Sequence, residues 1–463
     1  MNIARYEEYV SPFSARYTSK EMSYLFSAQF KISTFRQLWV SLAKAEKKLG
    51  LTITDDQIAE MSSHVEKINW EVAKEHEKQL RHDVMAHIHA YAEQCPKAKP
   101  IIHLGATSSY VTDNTDLIQL RKALTLLLHK LIHILRLLAN FAEKEAASPC
   151  LGYTHFQPAQ PTTMGKRASL WLQDFLLDAH ELERAIHTMP FLGAKGATGT
   201  QASFLSLFEG DEAKVKELEK LIAHDFAFTK ILPISGQTYT RKLDIQVLNL
   251  LMSFSASAHK MGTDIRLLSH TKELSETPTE TQVGSSAMPY KKNPIYSERI
   301  CGLSRFVMSL SQNPAYTTAT QWLERSLDDS SNKRLSIPEA FLGTDAILNL
   351  LIHLLSHLTV NQEVATHNIE THISQLASET ILMYAVKKGL DRQNVHEILR
   401  KFSNHSIEEI SKVLHLDLSE LNLTPSSLTG RAPNQVSDFL HSDVLPFLSQ
   451  YSHISVPIPS IEI

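Results

Sequence analysis

Residues 113–148 contain neither glycine nor proline. Apolar side chains recur at Leu117, Leu120, Leu124, Leu127, Leu131, Leu135, Leu138 and Phe141, with polar ones at Gln119, Lys122, His129, His133, Arg136, Asn140 and Glu143. That is a helical period with a wide apolar face. Asn114 or Thr115 can cap its start and Pro149 ends it. At 1.5 Å per residue such a helix spans on the order of 50 Å. A helix this long and this apolar needs partner helices along its whole length.

The chain supplies them. Residues 162–189 lie between two prolines, 241–276 hold no proline and a single glycine, and 293–312 and 338–359 read as further apolar helices. β-type alternation is scarce. The pattern predicts an all-α protein: an elongated central bundle of long helices flanked by two smaller helical domains. The expected regions are an N-terminal helical domain at 1–112, the long-helix bundle at 113–364 and a C-terminal helical domain at 365–463.

A formal net charge of -4, from 46 basic and 50 acidic residues, gives no general attraction to nucleic acid or to an anionic membrane. Three separated cysteines, Cys95, Cys150 and Cys301, form no CxxC pattern and fit a reducing compartment. The N-terminal residues show no apolar signal core, and no stretch reaches the ~18 consecutive apolar residues of a membrane span. The expectation is a cytoplasmic protein.

Several segments are too polar and too rich in Gly, Ser, Thr or His for element interiors, yet sit at the edges of the long helices. Residues 284–294 read GSSAMPYKKNP, pairing hydroxyls with cations. Residues 81–89, RHDVMAHIH, carry His82, His87 and His89, spaced five and two apart, which is not the i, i+4 pair of a helical metal site. That segment reads either as a helix start capped by Asp83 or as Arg81 and His82 holding an anion or moving a proton. Residues 103–116, HLGATSSYVTDNTD, put hydroxyls at the start of the longest helix, where free N–H groups suit carboxylate or phosphate and where plain capping is the alternative. In GYTHFQPAQPTT, His155 lies among Thr154, Gln157 and Gln160 in an interhelical loop, a setting for acid–base work near neutrality. GAKGATGTQASF is glycine-rich but lacks the GK[ST] ending of a P-loop. Arg16 and Tyr17, and Arg325, Ser330 and Arg334 around two aspartates, are surface ion pairs if scattered and an anion receptor if gathered.

GSSAMPYKKNP resembles the shared G-S-S-x-M-P-x-K-x-N-P pattern of the superfamily of fumarase, aspartase, argininosuccinate lyase and adenylosuccinate lyase. GATS at 105–108 and THFQPAQ at 154–160 resemble two more of its blocks, in order. RHDVMAH, HLGATSSYV, KGATGTQASF, SGQTYTRK and LDDSSNKR are most similar to the adenylosuccinate lyase family, in its animal-type form. The likeness spans nearly the whole chain and is less clear in the last ~100 residues.

The resemblance implies anti β-elimination: adenylosuccinate to AMP and fumarate, and SAICAR to AICAR and fumarate, in purine synthesis. It implies no metal or other cofactor, small-molecule substrates, and a homotetramer whose active sites are shared between subunits. By the same match Ser285 is the base, beside Ser286, which offers a second hydroxyl. His155 is the acid, Lys291 the cation that activates the serine, and His82 a second catalytic candidate. The match places Arg16, Tyr17, Arg325, Ser330 and Arg334 on the ribose phosphate, and Arg81 and Asp83 on the nucleotide side. Thr107, Ser108, Thr154, Gln237 and Asn293 fall on the succinyl side, and Arg299 on another substrate position. The rival readings are another fumarate-releasing lyase such as argininosuccinate lyase, an inactive structural homologue, and a metal-dependent hydrolase using the 82–89 histidines.

Overall fold

The computed structural model describes residues 9–276, 286–288 and 290–457. Ser285, with Gly284 and Pro289, lies outside them. Two N-terminal helices matter for the site, α1 (Ala28–Lys48) and α2 (Asp83–Gln94). The bundle follows: α3 (Ser108–Lys144), the hairpin β1 (Pro149–Thr154) and β2 (Gln157–Thr163), α4 (Met164–Thr188), α5 (Lys242–His270), β3 (Leu274–Glu276), α6 (Ile295–Leu310), α7 (Asp329–His357) and β4 (Leu358–Val360). Helix α3 packs on α4 and α7, and α5 packs on α4, α6 and α7. One apolar cluster runs from Phe13 through the bundle to Leu448, and a second, from Ala377 to Leu418, closes over the short helices near 378–414. The fold is all-α, with two small two-stranded sheets among the described residues.

Four boundaries depart from the sequence reading, each through a tertiary partner. Helix α3 starts at Ser108, not near Asn114. Asn114 is buried in its second turn, donating to the Tyr110 and Gly193 carbonyls and accepting from the Leu192 and Gly193 amides. A side chain tied to a distant loop is not available as a cap. Helix α7 begins at Asp329, well before Pro338. The proline forfeits one bond in the ladder, and ion pairs hold the turns before it. The 241–276 run breaks after α5, at Lys272 with φ of 60°, and resumes as β3 paired with β4. The interhelical loop around His155 is a β-hairpin, in which Thr154 opposes Gln157 and His155 and Phe156 form the tip.

Helices α3 and α7 are, against expectation, apolar enough over their length to pass for membrane spans. Their apolar faces are instead the bundle interior, with Leu124, Leu131, Leu135, Leu138, Ile347 and Leu351 fully buried.

Glu46, near the end of α1, is wholly buried, and neither carboxylate oxygen has a hydrogen-bond partner among the described residues. Burial pushes its carboxyl up to about 8 from an ordinary 4.5. The folded chain therefore keeps a proton that the unfolded chain releases, and stability falls as pH rises from the ordinary value to the raised one. Glu46→Gln removes that dependence. Thermal midpoints of wild type and variant should converge near pH 5, and by pH 8 the wild type should lose a few kcal/mol relative to the variant, at about 1.4 kcal/mol per unit. Parallel curves would show that Glu46 is not the group responsible.

Candidate active site

Helices α3, α5 and α7 all begin at the same end of the bundle. Their first turns present the positive ends of three helix dipoles. A cleft of about 960 Å³ opens there. It is lined by Arg81, His82 and Asp83 at the start of α2, Ser108 at the start of α3, Gln237 before α5, and Arg325, Ser330 and Arg334 around the start of α7. Thr107 is the residue before α3 and does not line the cleft. Lys31, Thr112, Asp116, Arg241 and Lys333 also line it and were not foreseen.

The cleft floor is a buried ion network. Arg241 donates from Nε to Asp329 Oδ2 at 2.7 Å and from Nη1 to Asp113 Oδ1 at 2.8 Å. Lys333 donates to Asp116 Oδ2 and to Tyr239 Oη, each at 2.9 Å, and Tyr239 donates to Asp244 Oδ1 at 2.6 Å. Burial works against the charge on Lys333, but Asp116, Asp244 and Tyr239 more than offset it and hold the ammonium well above its usual range. The same balance, with Asp113 as the largest opposing influence, raises the Arg241 guanidinium. Asp244 moves the other way for a carboxylate: burial raises it despite Lys333 and Arg241.

Glycines let three loops stack beside this floor. A Cβ on Gly199, at φ of 82°, would lie 2.0 Å from the Ser235 carbonyl, and one on Gly236 would lie 2.6 Å from that of Glu324. The Gln237 amide also bonds the Glu324 carbonyl at 3.1 Å. Bare backbone at both positions is therefore what delivers Arg325 to the cleft wall.

His82, not Asp83, caps α2: its Nδ1 accepts the Met85 amide at 3.3 Å. The neutral ring then carries its proton on Nε2, so it meets a ligand as a donor. Asp83 Oδ1 instead accepts from the Val84 amide at 2.8 Å, while Oδ2 stands 3.7 Å from Arg334 Nη2. The three histidines of that segment do not converge. His87 is buried edge-on to Trp70, where burial lowers it to about 4, and His89 lies against His76. Among the described residues no three ligating side chains gather for a metal.

The remaining expected residues lie elsewhere. Thr154 and His155 are exposed at the hairpin tip, with His155 and Phe156 at φ of 52° and 57°. Two successive left-handed residues make the type I′ turn that suits a tight hairpin, at a cost in strain for non-glycine residues. Tyr153 Oη on Glu273 and Gln362 Nε2 on the Pro149 carbonyl hold this hairpin beside β3 and β4. Glu276 accepts from the Tyr296 and Ser297 amides at 2.9 and 2.8 Å, which fixes the start of α6 at the same end. Lys291 is exposed and Asn293 half-buried just before it, and exposed Ser286 precedes both. Arg299, in α6, has a buried Nη1 with no hydrogen-bond partner among the described residues. This end follows the C-terminus of α3, and the cleft is at its N-terminus. Thirty-seven residues separate the two ends, a rise of about 55 Å. Arg16 and Tyr17 occupy a third place, the turn Phe13–Tyr17, which packs midway along α7 where Asn349 Nδ2 donates to the Tyr17 carbonyl.

The chain matches a family of lyases over residues 5–309. It is 47% identical to the adenylosuccinate lyase of Schizosaccharomyces pombe, covering 96% of this chain and 97% of that one. It is 46% identical to that of Saccharomyces cerevisiae, covering 95% of each, and 46% identical to that of Schistosoma mansoni, covering 96% and 97%. Among solved structures, the 3-carboxy-cis,cis-muconate lactonizing enzyme of Pseudomonas putida superposes with a TM-score of 0.82 at 22% identity, over 95% of this chain and all of that one. A fumarate lyase from Mesorhizobium sp. gives 0.79 at 22%, over 94% of this chain. At that identity these two speak for the fold alone.

The cleft floor yields a test of its own. Arg241→Met leaves Asp113 and Asp329 buried without their cation, which costs about 3–5 kcal/mol. The expected outcome is a clear drop in thermal midpoint, together with lost protection of the first turns of α3 and α7 in hydrogen exchange. An unchanged midpoint would show that the network is not what joins the three helix starts.

Proposed function

The chain belongs to the adenylosuccinate lyase family, and we infer that its cleft is the nucleotide half of a site that cleaves the C–N bond of adenylosuccinate to give AMP and fumarate. The related ribotide SAICAR, which would give AICAR and fumarate, is the second substrate on this reading. One observation carries it: Arg81, Arg325 and Arg334 stand around three helix N-termini in one cleft. That arrangement suits a ligand bearing phosphate.

The elimination needs three things. A base removes a proton from the carbon beside a carboxylate. Fixed donors and cations stabilise the aci-carboxylate that forms. An acid protonates the departing nitrogen. We assign the base to Ser285, activated by Lys291, and the acid to His155, with Thr154, Ser108 and Asn293 on the succinyl carboxylates. His82, whose Nε2 carries the proton, is a second donor on the nucleotide side.

A single chain cannot bring these together, because His155 and the cleft sit at opposite ends of α3. Other copies must supply the hairpin and the start of α6. The outer faces of the bundle support this reading. Leu170 and Leu177 on α4, Met252 and Leu267 on α5, and Phe306 on α6 are exposed large apolar residues in an otherwise buried set. Isolated ones are ordinary on a surface, but pairs along α4 and α5, with Phe306 on the neighbouring α6, suit an assembly with further copies. A cytoplasmic homotetramer with sites shared between subunits accommodates all three groups of residues.

Purified protein should consume adenylosuccinate, seen as loss of its absorbance as AMP forms. Cleavage of argininosuccinate but not adenylosuccinate would overturn the assignment. Ser285→Ala and His155→Ala should each lower kcat by on the order of 10²–10⁴-fold with the fold intact. Mixing the two inactive variants, with subunit exchange verified, should restore part of the activity. No recovery would mean that base and acid come from one chain. Arg334→Ala should mainly raise KM. A collapsed kcat at unchanged KM would move Arg334 out of the phosphate role.

A further inference from the structure

Among the described residues Arg325 is held by one nitrogen only. Its Nη1 donates to Gln237 Oε1 at 2.6 Å and to Ser109 Oγ at 3.0 Å, which uses both protons on that atom. Among the described residues no hydrogen bond engages its Nε or Nη2. These two form the planar edge of a guanidinium that receives a carboxylate or phosphate with two parallel bonds. The protein thus spends one corner of the fork and leaves the bidentate edge for a ligand.

The two acceptors differ in how firmly they are fixed. Gln237 is anchored at both ends, because its Nε2 also donates to the Ala197 carbonyl at 3.0 Å and its backbone amide to that of Glu324 at 3.1 Å. Ser109 has no accessible surface and sits in the first turn of α3, so its hydroxyl cannot serve a ligand directly. Its neighbour Ser108 lines the cleft, whereas Ser109 does not and meets the guanidinium instead. The pair of serines in GATSS therefore divides its work.

We propose that Ser109 is a positioning residue: its buried hydroxyl, with Gln237, fixes the rotation of the Arg325 guanidinium so that the Nε–Nη2 edge faces the ligand anion. This rests on the reading of Arg325 as a phosphate contact. Without the hydroxyl, Nη1 keeps one acceptor and the guanidinium can swing about it. The ligand must then freeze that rotation on binding, which weakens binding without touching the reacting atoms.

A double-mutant cycle on the full-length protein tests it. The four proteins are wild type, Ser109→Ala, Arg325→Met and the double variant, assayed on adenylosuccinate, with inhibition by AMP as a second readout. Ser109→Ala should raise KM and the AMP inhibition constant about 3–10-fold, with kcat within about twofold and an unchanged thermal midpoint. In the Arg325→Met background the same change should move either constant by less than about 1.5-fold, since there is no guanidinium left to orient. Equal effects in both backgrounds, or an unchanged KM in Ser109→Ala alone, would overturn the proposal. If Arg325→Met itself leaves KM unchanged, it is the phosphate reading of Arg325 that fails. Should Ser109→Ala not fold, Ser109→Cys, which keeps the size and weakens the acceptor, takes its place in the cycle.

Discussion

Arg241 bonds Asp113 of α3 and Asp329 of α7 at once while standing at the first residue before α5. The charges are buried, so each is costly alone and tolerable only in company. That condition ties the three helix starts into one rigid floor. Lys333, with Asp116 and Asp244, repeats the tie one turn further in. A hydrophobic floor of the same volume would pack as well, but it would not fix the rotation of each helix about its axis. Polar pairing does, and the side chains on the first turns then face one another across the cleft.

The length of α3 is the second constraint. A helix of this length keeps its two ends apart by a distance no side chain can bridge. The cleft and the His155 hairpin belong to the same chain and yet cannot meet within one copy. Assembly is therefore a requirement of the chemistry on this reading, beyond whatever stability it brings. The tip of the hairpin fits the role: His155 and Phe156 are held in left-handed backbone, a strained conformation for non-glycine residues. Strain kept at an exposed tip calls for a reason, and presenting His155 to another copy supplies one.

The long apolar helices were legible in sequence because periodicity is a local signal. Their ends were not, because ends are decided by partners. Asn114 looks like a cap and is bonded to residues 192 and 193 instead. Pro338 looks like a helix start and lies inside α7, because Asp329 and Lys333 hold the turns before it to residues far away in the chain. The motif residues Arg81, His82, Ser108, Gln237, Arg325, Ser330 and Arg334 could be named from their blocks, and they share one cleft. Arg241, Lys333 and Ser109 were passed over. Each lies inside a block or next to one, but its importance rests on a contact across more than 80 residues of sequence. Burial of a charged or hydroxyl side chain next to a motif is the feature that marks them, and burial cannot be read from a single sequence.

On the proposed reading one chain holds the nucleotide half of the site and other copies complete it. A crystal structure of the assembled protein with AMP and fumarate bound addresses this directly. Phosphate should lie on the Arg325 Nε–Nη2 edge and Arg334, with a His155 from a different copy within hydrogen-bond reach of the purine nitrogen that leaves. AMP bound away from this cleft, or a cleft with no His155 of any copy near the ligand, would contradict it.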